Sequence, residues 1–80
     1  MTWEEAGLIT DDADLKSLLY SAASRNIHVG GLQEIKREFE YNKREGIKQP
    51  TLDQWLTMTS SELKAYQLIN SPKKESNDSN

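Results

Sequence analysis

Apolar residues recur along this chain at steps of three and four rather than two, the spacing that places them on one face of a helix. Leu15, Leu18, Leu19 and Ala22 mark one such face, and Leu32, Ile35 and Phe39 a second. Leu52, Trp55 and Leu56 mark a third, and Leu63, Tyr66 and Ile69 a fourth. No segment shows a sustained strand alternation, so the pattern predicts an all-α fold: a small helical bundle of two main helices followed by a C-terminal bent pair.

Local signals set the expected ends of these helices. Asp11 or Asp12 can cap the first main helix, whose acidic first turn suits the positive end of the helix dipole, and Arg25 and Asn26 mark its end. Ile27-His28-Val29-Gly30-Gly31 reads as a short extended link. The second main helix is then expected from near Leu32, with Gly46 in the preferred position just past its end.

Downstream, the stretch TLDQWLTMTSSEL starts a helix twice. Thr51 with Gln54, and Thr59 with Glu62, both satisfy the capping box, in which the first side chain accepts from the fourth residue's N–H and the fourth side chain accepts from the first residue's N–H. Pro50 stands outside the first box, and Met58 and Leu63 occupy the staple positions of the second. Two short helices set at a corner are expected, roughly 52 to 58 and 60 to 69; the alternative is one continuous helix that tolerates Thr59 to Ser61. A third box, Thr2 with Glu5, predicts a single N-terminal turn running into Gly7, with Trp3, Leu8 and Ile9 folded back on the bundle. Residues 71–80 carry no apolar side chain apart from Pro72, so a single domain over 1–70 with a disordered tail is expected.

Composition narrows the chemistry. An 80-residue chain buries only a modest core, and with no cysteine it has neither a disulfide nor a thiolate, so self-association is one expected source of extra stability. The N-terminus has no basic region before an apolar run, and no stretch is long and apolar enough to span a bilayer, which reads as a cytoplasmic, non-membrane protein. The formal charge is -3, with acids in excess over residues 1–30 and bases in slight excess over 31–50. A mildly acidic chain is a poor non-specific ligand for phosphate backbones, although a local basic face is compatible with it.

Catalysis needs reactive groups brought together, and few are present. His28 is the only histidine, whereas a metal site wants three or four donors. Asp11, Asp12 and Asp14 do not fit a calcium loop, because counting from Asp12 places Ser17 where the loop needs glycine and Ala23 where it needs glutamate. Helix capping accounts for them. Gly30-Gly31 ahead of a helix lacks the adjacent lysine of a phosphate loop. No enzymatic activity, cofactor or metal is expected.

The organised charge lies on the second main helix. Arg37, Tyr41 and Arg44 fall at steps of four and three, with Lys48 beyond the helix end and Lys36 and Lys43 broadening the stripe. Basic side chains around an aromatic ring suit a nucleic-acid backbone, while Glu34 and Glu40, at pairing distance, suit a solvated face. A helix-turn-helix would need a joint of three or four residues, and the segment Asn26 to Gly31 reads as longer than that. The expectation is a small non-enzymatic protein-binding module, an adaptor, inhibitor or assembly factor of the kind bacteria and phages use, acting through Tyr20, Arg37, Tyr41, Lys43, Arg44 and Lys48. The alternative is a nucleic-acid-binding regulator using the basic stripe.

Overall fold

In the computed structural model, which describes residues 2–72, the chain forms five helices: α1 (Trp3–Ala6), α2 (Ala13–Ser24), α3 (Val29–Glu45), α4 (Leu52–Thr57) and α5 (Ser60–Asn70). No strand occurs among the described residues, so the fold is all-α. The tail expected over 71–80 lies, from residue 73 onward, outside the described residues.

All three capping boxes form. The Thr2, Thr51 and Thr59 hydroxyls accept from the N–H groups of Glu5, Gln54 and Glu62, whose side chains accept in return from the N–H groups of the threonines. Asp12 rather than Asp11 caps α2, its Oδ1 accepting from Asp14 and Leu15. Because α4 and α5 each carry their own box, with Met58 extended between them, they are two helices and not one.

A second grammar closes the helices. At α1, α2 and α3 a left-handed residue follows the last turn: Gly7, Asn26 and Gly46 have φ of 76°, 67° and 73°. The residue after each then donates its N–H five residues back: Leu8 to Trp3 O, Ile27 to Ala22 O, Ile47 to Asn42 O. This double-bonded ending satisfies carbonyls that a helix end otherwise leaves open, and it turns an apolar side chain inward. Leu8 and Ile47 are buried accordingly, and Ile27 is half-buried.

The chain divides into two compact units, Met1–Phe39 and Glu40–Asn80. In the first, Leu15, Leu18, Leu19 and Ala22 of α2 are buried as their spacing requires, together with Leu8, Leu32, Ile35 and Phe39. Gln33 Nε2 donates to Ala6 O at 2.9 Å and ties α1 to α3. Trp3 stacks on Tyr20, ring centroids 5.0 Å apart. Ile9 does not fold back with them and is exposed, because the turn that buries Leu8 carries the next side chain outward.

The extended link is absent. α3 starts at Val29, three residues earlier than the glycine pair suggests, and its first helical bond runs from Leu32 N–H to His28 O. Both glycines are therefore helical, and the connection from α2 is the four residues Arg25 to His28. Gly31 is there for clearance: a Cβ on it would lie 2.7 Å from Ile27 Cγ2.

In the second unit Ile47, Pro50 and Trp55 are buried, while Tyr66 is half-buried. The expected α5 stripe is shifted. Ile69 is exposed, and Gln67 takes the inward place beside Leu63, Tyr66 and Asn70. A stripe read at steps of three drifts around a helix of 3.6 residues per turn, and Ile69 lies where the drift has carried it past the core.

Candidate functional site

The face built around Tyr41 is the best-defined candidate. Three residues of α3 in sequence take three directions, since each step turns the helix by about 100°. Asn42 points inward and is fully buried, while Tyr41 and Lys43 point out. Tyr41 is 39% exposed.

Arg44, one turn on, lays its guanidinium 5.6 Å from the centre of the Tyr41 ring. The same side chain approaches Glu45, Nε to Oε2 3.7 Å, in a pair whose arginine is largely exposed. Such surface contacts contribute little stability each, about 0–1 kcal/mol, but together they restrict where the guanidinium lies. The result is an aromatic ring with a cation over it, a surface that can stack, donate hydrogen bonds and grip a carboxylate or phosphate.

Beneath this face lies a buried polar cluster centred on Asn42. Asn42 Nδ2 donates to Gln49 Oε1 at 3.1 Å, and Gln67 Nε2 donates to Asn42 Oδ1 at 2.8 Å. Asn42 thereby joins α3, the 46–50 connection and α5, and its main-chain carbonyl also accepts from Ile47. The signal that marks it is the arithmetic of the face: position 42 falls inward although its residue type favours the surface.

The other sequence candidates distribute as follows. Arg37 is exposed on α3 one turn before Tyr41, and Lys48 is exposed in the connection after α3. Lys43 is exposed on α3 but on a different side from Tyr41 by the helical step. Tyr20 belongs to the first unit, where it is 59% exposed while stacked on Trp3. His28 is exposed at the entrance to α3, with its ring against Gly30. Among the described residues no group of three or more His, Cys, Asp or Glu side chains is placed to hold a metal ion, and no helix is long and apolar enough to cross a membrane.

Comparison with protein-family models, with curated proteins and with solved structures returns no match.

Proposed function

We propose that this protein is a small non-enzymatic protein-binding module that docks the Tyr41 face of α3 on a protein partner. The observation that carries this reading is the exposed Tyr41 ring with the Arg44 guanidinium 5.6 Å from its centre, on a helix whose opposite face is packed. Tyrosine and arginine are the residue types most enriched where binding energy concentrates, because each offers a large contact area and directional polar atoms. Holding them in one arrangement before binding reduces the ordering cost of association.

A second reading is a nucleic-acid-binding regulator using Arg37, Lys43, Arg44 and Lys48. It is favoured by the four-residue connection between α2 and α3, which falls within the length a helix-turn-helix requires. Against it, the second helix of that pair opens with Val29, Gly30, Gly31, Leu32, Gln33 and Glu34, which offers little to a phosphate backbone and no cation.

Capture of partners from native lysate on the tagged protein, with and without nuclease, separates the two readings. A discrete protein retained in both arms by the wild type, and lost on the double substitution Tyr41→Ala with Arg44→Ala, supports docking through this face. Retention that disappears with nuclease replaces it with the nucleic-acid reading.

A further inference from the structure

The inward face of α5 is not its most apolar one. The buried and half-buried positions Leu63, Tyr66, Gln67 and Asn70 centre on one direction around the helix. At about 100° per residue, the apolar residues Leu63, Tyr66 and Ile69 centre on another, about 50° away. A turn of that size about the helix axis would exchange Gln67 for Ile69 on the core side, while Leu68 lies toward the outer side in both positions. In the observed position Leu68 and Ile69 are 67% and 69% exposed, the two highest values among the large apolar side chains described.

Hydrophobic burial alone favours the other position. A buried isoleucine removes more apolar surface from water than a buried glutamine, whose hydrogen bond largely replaces one to water. The counterweight is on α3. Asn42 is fully buried; its Nδ2 donates to Gln49 Oε1 at 3.1 Å, and its Oδ1 accepts from Gln67 Nε2 at 2.8 Å. Turning Gln67 outward takes that donor from a carbonyl oxygen shut off from solvent, and an unmet buried polar atom is costly enough to offset the apolar gain.

We propose that the Asn42–Gln67 amide pair selects the rotation of α5, holding Leu68 and Ile69 outward against a competing position that buries Ile69. A buried polar contact can fix register in this way, because only one arrangement meets its hydrogen bonds while apolar side chains accept several. α5 is thus a two-position helix, and the surface it shows depends on a bond that lies beneath it.

The test is hydroxyl-radical footprinting of the full chain, read residue by residue by tandem mass spectrometry, with circular dichroism to follow helix content. In the wild type, Leu68 and Ile69 should both be oxidised readily. In Asn42→Leu, and in Gln67→Ala, which adds no bulk, oxidation of Ile69 should fall about threefold, to the level of a half-buried side chain, with Leu68 unchanged. The double variant Asn42→Leu with Gln67→Leu makes the observed inward face apolar, and it should keep the wild-type pattern at both residues.

Unchanged oxidation of Ile69 in either single variant that folds would overturn the proposal. So would an equal change at Leu68 and Ile69, which reports fraying of α5 rather than rotation. Protection of Ile69 in the double variant would remove the amide pair as the selector. Loss of helix in both single variants would also overturn it, since a competing position open to α5 should keep the second unit folded.

Discussion

Gln67 Nε2 donates to Asn42 Oδ1 across 2.8 Å in the buried part of the second unit, so an amide pair occupies a place that a leucine pair would ordinarily fill. A buried amide is tolerated when its donors and acceptors are met, and Asn42 also donates to Gln49. Truncation of one partner strands the other. Asn42→Ala should therefore cost about 2–3 kcal/mol of unfolding free energy, more than the volume lost would cost alone. In a double-mutant cycle with Gln67→Ala, the coupling should be of order 1 kcal/mol, whereas a value near zero in urea titrations would mean that the pair contributes no net stability.

The two adjacent glycines of α3 should respond to alanine with opposite sign. At Gly31 an added Cβ meets Ile27 Cγ2 at 2.7 Å, and a β-branched side chain has little freedom to turn aside. At Gly30 the nearest atoms belong to the exposed His28 ring, 3.6 Å away, an ordinary contact. Gly31→Ala should destabilise by about 1–2 kcal/mol, while Gly30→Ala should stabilise by up to about 1 kcal/mol through helix propensity and a less flexible unfolded chain. Thermal melts of the two variants against wild type read the signs directly.

Those glycines also show where sequence reasoning stops. Caps are local, encoded within four residues, and so Thr2, Thr51 and Thr59 announce α1, α4 and α5 in the sequence itself. Gly30-Gly31 announces a break, but the helix runs through it, and Gly31 serves instead to clear Ile27, whose Cγ2 lies 2.7 Å from where a Cβ on residue 31 would stand. A local steric need overrides propensity there. The Asn42–Gln67 pair is hidden for a related reason: two polar residues 25 positions apart declare nothing until both helices are placed. Of the candidate contact residues, spacing alone places Tyr41 and Arg44 on one face of α3, where the guanidinium lies over the ring.

Tyr66 gives the second unit a pH dependence of known sign. Burial pushes its phenol above the ordinary value of 10.0, because desolvation disfavours the phenolate. The folded state therefore holds the proton more tightly than the unfolded chain does. Its contribution to stability is complete below the ordinary value and is lost as pH rises through the folded-state value. Tyr66→Phe has no such proton to lose, so the stability difference between wild type and variant should be constant near neutrality and move in favour of the variant above about pH 10. Urea titrations at neutral and alkaline pH check this, and parallel pH profiles for the two proteins would refute it.

Tyr20 stands in a double position, exposed enough to meet a partner and yet stacked on Trp3 at 5.0 Å with an interplanar angle of 24°. α1 is four residues long and is not stable by itself, so it depends on such contacts and on the Gln33 bond to Ala6. Tyr20→Ala should cost about 1 kcal/mol and shift tryptophan emission to the red as Trp3 gains water, whereas Tyr20→Phe keeps the stack and should change neither. The pair of variants separates the two roles that one exposed ring can play. Partner binding weakened by Tyr20→Ala but kept by Tyr20→Phe means that the aromatic ring, stacked on Trp3 or met by the partner, is what binding needs and the hydroxyl is not. Binding weakened equally by both means that the partner reads the Tyr20 hydroxyl itself, and unchanged binding in both assigns Tyr20 to stability alone.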